Sequence, residues 1–295
     1  KNRVKIGENI QLMMRETPGF DNQSEGNALG MAYRENPFIP VHDIHGGWAG
    51  TAAHGFNNPQ NPVADLDRTK NNWSRDLGIL GSVFAEVKLP YSLSFRSNFG
   101  GNFGTYYYAS YSQRTYENFE NGGTNGIQEG AGFNYSWVWT NTLTFNKIFG
   151  EHSVKALIGT EALSGQWRSM SGSGVNPFSL DPTYLMLRTT EGGASRQVDD
   201  DGGPYGNIYS LFGQVNYSFA DKYLFSGTIR RDGAAVFGPN FRYGLFPAAS
   251  VGWRISGENF MNRLTWITDL KIRGSYGEMG NSNPVPLTNQ YTTYA

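Results

Sequence analysis

The length over which side chains alternate restricts this chain most. Between residues 205 and 255 three runs keep a period of two, split by one tight turn and one short loop. In the first, Tyr205, Tyr209, Leu211, Val215, Tyr217 and Phe219 hold odd positions, with Ser210, Gln214, Asn216 and Ser218 between them. In the third, Tyr243, Leu245, Pro247, Ala249, Val251, Trp253 and Ile255 alternate with Gly244, Ser250, Gly252 and Arg254. Such a period puts one set on each side of a strand. Strands of a soluble sandwich run about 5–6 residues, whereas one that crosses a bilayer needs about 9–11. Several runs here hold the period beyond the first length. Their apolar side carries rings near both ends and small or aliphatic residues between, as a lipid-facing strand does between two aromatic girdles.

Composition agrees with an unusual solvent. Only 17% of the 295 residues are charged, against about a quarter in soluble domains. The net charge of −1 offers no field to attract nucleic acid. No apolar run approaches the ~20 residues of a spanning helix, but a barrel escapes that test because only alternate residues meet lipid. The chain has no cysteine, which removes disulfides, thiolate ligands and thiol catalysis. It starts at Lys1 inside a strand-like pattern and reads as a piece cut at both ends.

Taken in order, the chain yields nine strands. Val4, Ile6, Ile10, Leu12 and Met14 mark the first, and a long Asn/Gly/Pro-rich loop is expected over residues 15–75. The second strand shows Leu77, Ile79, Val83, Ala85, Val87 and Leu89 on one side, and a turn at Pro90-Tyr91 leads to Leu93, Phe95, Phe99 and Phe103 on the third. Gly100-Gly101-x-x-Gly104 is expected to bend that strand. After a loop over 113–130, Phe133, Tyr135, Trp137, Trp139, Leu143 and Phe145 give the strongest alternation, followed by a turn at 148–151 and a fifth strand through Val154, Ala156 and Ile158. A second long loop is expected over 169–204, then the three strands of the opening stretch. Residues 256–269 read as a short helix capped by Ser256. A last strand begins at Leu270. Long and short junctions nearly alternate, as outward loops and periplasmic turns of a barrel do.

Candidate chemistry is sparse. His42-Asp43-x-His45 resembles a metal cluster, but the two imidazoles point to opposite sides of an extended segment. Asp199, Asp200 and Asp201, with Glu191 upstream, suggest a calcium loop yet lack the spacing of an EF-hand, so a solvated acidic loop is expected. No nucleophile elbow occurs, and His54 and His152 stand alone. The reading is therefore no enzyme, no catalytic residue, no metal and no cofactor. Arg230, Arg231 and Asp232 are expected to form a salt-bridged strand end, with a substrate-facing charged rim as the other reading. Flat rings in the outward loops, above all Trp48, Trp73, Tyr116 and Tyr184, are the candidate ligand contacts, since rings stack on sugars and loops carry binding.

Three segments carry a resemblance. Tyr217 to Tyr223 (Y-x-x-x-x-K-Y), Arg230-Arg231-Asp232-Gly233, Phe237-Gly238-Pro239 and Arg242-Tyr243-Gly244-x-Phe246-Pro247 form one block; Asn36-Pro37-x-Ile39-Pro40-Val41-x-Asp43 and Leu270-Lys271-x-Arg273-Gly274-Ser275-Tyr276-Gly277 are the others. In order and spacing they resemble SusC/RagA-type TonB-dependent outer-membrane transporters. The resemblance implies an all-β fold: residues 1–295 as part of an antiparallel transmembrane barrel, about nine of about 22 strands. It implies import of oligosaccharides or peptides across a Gram-negative, Bacteroidetes-type outer membrane. The implied partners are a SusD-like lipoprotein, the TonB complex acting through a plug that this sequence lacks, and membrane lipid. A soluble all-β glycan-binding or adhesion module with aromatic loops is the alternative.

Overall fold

A computed structural model describes residues 3–19, 27–52, 55–56, 59–119, 121–264, 266–281 and 285. The strands are β1 (Val4–Pro18), β2 (Trp73–Leu89), β3 (Leu93–Ser112), β4 (Gly126–Phe149), β5 (His152–Val175), β6 (Gln197–Phe219), β7 (Tyr223–Ala234), β8 (Tyr243–Arg254) and β9 (Lys271–Gly277). They form one antiparallel sheet in sequence order, each strand bonded to the next.

Alternation becomes two unlike faces because the register keeps like with like. One row across the sheet reads Val4, Val87, Phe95, Leu143, Ile158, Gly213, Ile229, Pro247. A row of opposite parity, three positions toward the long loops, includes Asn98, Thr140, Glu161, Ser210 and Asp232. Among the described residues no second sheet covers the oily rows: Leu12 is 73% exposed, Ile158 63% and Val251 61%. Side chains that would cost about 1.5–3 kcal/mol each to leave in water need another apolar solvent, and hydrocarbon supplies it.

At one end the chain turns back tightly. Tyr91 and Ser92 have φ of 60° and 62°, and Ala220 and Asp221 have 51° and 56°. Two successive left-handed residues make the hairpin turn whose twist matches the strands. Gly150 takes φ 59° in the β4–β5 turn, where a left-handed conformation is needed again. Rings gather just above these turns. The Glu258 carboxylate accepts from Trp253 Nε1 (3.1 Å) and the Tyr223 hydroxyl (2.8 Å), and pairs with Lys222 Nζ at 3.3 Å. The two aromatic hydrogen bonds hold that carboxyl below the usual carboxylate range.

Several expectations are corrected. The strands reach further toward the long-loop end than periodicity suggests. β5 continues to Val175 and β6 begins at Gln197, so the Asp199–Asp201 cluster is strand rather than acidic loop. Its backbone is held by pairing with Ser171, Met170 and Ser169, which polarity alone does not reveal. Alternate residues of a strand point to opposite faces, so the three carboxylates do not converge. The segment expected as a loop holds two helices among its described residues, α1 (Ala28–Arg34) and α2 (Pro62–Thr69). Asn27 Oδ1 caps the first through Gly30 N (2.7 Å), and Asn61 Oδ1 caps the second through Val63 N and Ala64 N (3.1 Å each).

The helix expected over 256–269 is instead two 3-10 turns, Ile255–Gly257 and Asn259–Arg263. Ser256 turns its hydroxyl to Asp269 Oδ1 (3.1 Å) rather than capping, and the Glu258 contacts fix the chain against β7 and β8. At Gly100–Gly104, where a bend is expected, β3 keeps its register with both neighbours. Gly101 serves close approach, since a Cβ there would lie 2.7 Å from the Ser136 carbonyl oxygen. The register shifts elsewhere, between Leu163 and Gly165 opposite β6.

Candidate functional site

Two surfaces carry polar chemistry: the polar face of the sheet and the loops at its open end. On the polar face, Arg230 is the centre of a network. Its Nη2 donates to Glu161 Oε1 (2.7 Å) and Ser210 Oγ (2.9 Å), and its Nε donates to Asp232 Oδ1 (2.7 Å). Thr140 Oγ1 donates to the other oxygen of Glu161 at 3.1 Å. Of the two readings for Arg230-Arg231-Asp232, ion pairing describes Arg230 and Asp232, while Arg231 stands on the other face over the Tyr243 ring (4.1 Å). Further along the polar face, Asn102 bonds Ser136 and Asn134, and Lys155, Lys271 and Arg273 stand among Ser226, Ser250 and Ser275. Hydroxyls, amides and fixed cations suit water and water-soluble solutes.

At the open end, the loops hold one another through side chains. Arg68 of α2 grips Glu117 with a two-pronged pair of 2.5 and 2.9 Å; the two side chains are 9% and 1% exposed. Such a fork matches carboxylate geometry and orders both partners. Burial pushes the Glu117 carboxyl up; the Arg68 fork and the backbone N–H of Tyr116 and of Glu117 itself outweigh burial, leaving it below the usual range. Asn72 accepts from Tyr111 N (2.7 Å) and donates to its carbonyl (3.2 Å). Asn61 spends its amide on the carbonyls of Val41 and Ala49 (2.8 and 2.9 Å). Tyr111 reaches the third loop, donating to the Leu185 carbonyl at 2.9 Å, within a cluster of Ala109, Ile127 and Leu185 that Trp73 covers. The result is a plate joining loops 19–72, 113–125 and 176–196.

The four candidate rings are spread over this end. The Trp48 backbone N–H donates to the Tyr116 hydroxyl at 2.8 Å, so these two residues lie together. Trp48 is half-buried and stacks on His42 at 4.7 Å, while Tyr116 is 55% exposed. Tyr184 lies in the third loop beside Phe178, 5.6 Å between centroids. Trp73 is not in a loop: it opens β2, in the row of Pro18, Ala109 and Glu129, with Arg75 over its ring at 4.4 Å. Asp43 folds its own loop, accepting from His45 N and Gly47 N at 2.8 Å each, which lowers its pKa. His152 lies among the girdle rings, its Nδ1 at 2.8 Å from the Tyr217 hydroxyl. His54 falls outside the described residues. Among the described residues no group of three or more His, Asp and Glu gathers to hold a metal. Sequence reasoning missed Arg68, Glu117, Asn61 and Asn72; only Asn61 gave a local sign, as a cap before Pro62.

This architecture has close counterparts. The TonB dependent receptor-like β-barrel family matches residues 18–295. TonB-dependent receptor P3 of Formosa agariphila is 28% identical over 99% of this chain and 29% of its own length. TonB-dependent receptor SusC of Bacteroides thetaiotaomicron is 28% identical over 77% of this chain and 22% of its own. Among solved structures, the RagAB peptide transporter superposes with a TM-score of 0.76 at 21% identity, over 96% of this chain and 32% of that one. An open-open state of the RagAB peptide importer gives 0.78 at 19% identity, over 100% and 32%. The chain thus spans less than a third of the proteins it resembles. With nine described strands in one sheet, an exposed oily face and a family match over nearly all its residues, the chain belongs to the TonB dependent receptor-like β-barrel family.

Proposed function

We propose that this chain is barrel wall and outward loops of a nutrient importer, taking up oligosaccharides or peptides by TonB-dependent transport with a SusD-like surface lipoprotein. The observation that carries this is the contrast of faces: exposed Leu, Ile, Val and ring rows on one side, a hydroxyl- and amide-rich wall on the other, and long loops gathered at one end. A polar lumen wall lets a hydrated cargo pass without binding tightly, and cross-braced loops offer a surface for a cap. The RagAB neighbours are described as peptide transporters, which favours the peptide end of the range. Trp48, Tyr116 and Tyr184 are the rings proposed to meet cargo or cap. Trp73, on the oily side, is proposed to brace the plate rather than touch solute. The setting is a Bacteroidetes-type outer membrane, with TonB acting through a plug elsewhere in the longer protein.

Deleting the full-length protein tests this. Growth on one polymer or peptide mixture should fail while growth on its monomers persists. Unchanged growth on a broad panel of polymers and peptides overturns the import reading.

A further inference from the structure

On β7 the oily face carries a cation, Arg231, that the transport reading does not use. Arg231 lies in a row with Asn141, Thr160, Leu211 and Leu245. It is exposed, and among the described residues it has no carboxylate partner, only the Tyr243 ring. Below that row, toward the tight turns, runs a row of Phe95, Leu143, Ile158, Gly213 and Ile229. Together the two rows line a shallow groove of about 560 Å³, with Arg231 at one side. Its floor dips at Gly213, the one position in its row from Phe95 to Ile229 with no side chain.

A lone guanidinium facing hydrocarbon is costly, so an unpaired one there calls for an anion. The outer face of β5–β8 between the ring girdles supplies none. At its positions 152–162, 209–219, 223–233 and 243–253 stand His, Val, Ala, Ile, Thr, Tyr, Leu, Gly, Phe, Pro and Trp besides Arg231, with no Asp or Glu. Asn141 and Thr160 add neutral hydrogen-bonding groups in the same row as the cation. The arrangement is amphipathic in one direction: cation, amide and hydroxyl toward the long-loop end, apolar groove toward the tight turns.

We propose that this groove is a specific site for a phosphorylated, acylated lipid of the outward leaflet, of the lipid A class. A phosphate sits on Arg231, the rest of the headgroup extends along the row toward Thr160 two strands away, and an acyl chain lies in the dip at Gly213. The proposal rests on the membrane placement of the barrel and not on the identity of the cargo.

The test uses the full-length protein purified in a mild detergent and offered lipid A, dephosphorylated lipid A or phosphatidylglycerol, with retained lipid read by native mass spectrometry. Wild type should retain phosphorylated lipid A preferentially. Arg231→Gln should lose about tenfold of it, the worth of one charge-assisted contact, while Arg231→Lys keeps most. Gly213→Leu, whose Cβ would meet only ordinary contacts of 3.7 Å or more, should fold and lose binding several-fold by filling the dip. Equal retention by wild type and Arg231→Gln overturns the site. Equal, Arg231-dependent retention of phosphatidylglycerol overturns the lipid A assignment, as does a second copy of the chain covering the groove in particle images. A protein that needs no detergent at all would fail the membrane reading instead, which separates the two.

Discussion

In the wall, β4 and β5 pair along residues 126–149 and 152–175 with partners that follow from a turn of two residues. In the loop plate, Arg68 finds Glu117 across 49 positions and Trp48 finds Tyr116 across 68. The wall is held by many equivalent backbone bonds, and its faces are set by which solvent each side meets. The plate is held by a few polar side chains buried against one another. The first arrangement spreads its stability thinly and tolerates most single changes. The second concentrates it, so one truncation can release a whole loop.

Arg68→Ala should give the largest effect. Leaving Glu117 buried without its partner costs about 3–5 kcal/mol. Hydrogen exchange and proteolysis should accelerate in 59–72 and 113–119, while exchange in the wall stays unchanged. Uniform acceleration across β2–β8 would mean that plate and wall are one unit.

Next comes a charge on the oily face. Val215→Arg should lower barrel stability in lipid by about 2–4 kcal/mol, whereas Gln214→Arg, one residue away on the polar face, should be nearly neutral. Similar costs for both, measured by denaturant titration in vesicles, would dissolve the distinction between faces.

Acid should loosen the plate before the wall. The folded-state pKa of Glu117 is lowered, so its contribution is complete above the ordinary carboxylate range and disappears as pH falls through the depressed value. Loop exchange rates should therefore rise only in strongly acidic buffer, and Glu117→Gln should remove that dependence.

The smallest effect belongs to the turns. Ala220→Gly relieves a left-handed alanine at φ 51° and should stabilise the wall by about 1 kcal/mol. No gain would mean the turn geometry is imposed at no cost.

The same contrast explains what could be read from the chain. Val83, Phe99 and Trp139 announce their shared face because alternation is local and each strand repeats it. The nine-strand order follows from junction length. Strand ends were less legible, since Gln197 to Gly203 is polar and pairs by backbone alone. The plate was least legible. Nothing near Arg68 marks its partner, and nothing near Trp48 says that its N–H meets a tyrosine hydroxyl. The small helix before Lys70 was available in principle, from Asn61 followed by Pro62.

The register shift opposite Leu163 has its own consequence. Leu163 pairs with Ile208 and Gly165 with Tyr205, so β6 spends two residues, Gly206 and Asn207, where β5 spends one. That single surplus residue acts as a parity switch: even numbers point outward before it and odd numbers after it. Removing Asn207 would rotate the leading segment by half a period, carrying Val198 and Asp200 to the water side and Asp199 and Asp201 to the other. A one-codon deletion would thus invert the upper part of one stave and leave the lower part as it was.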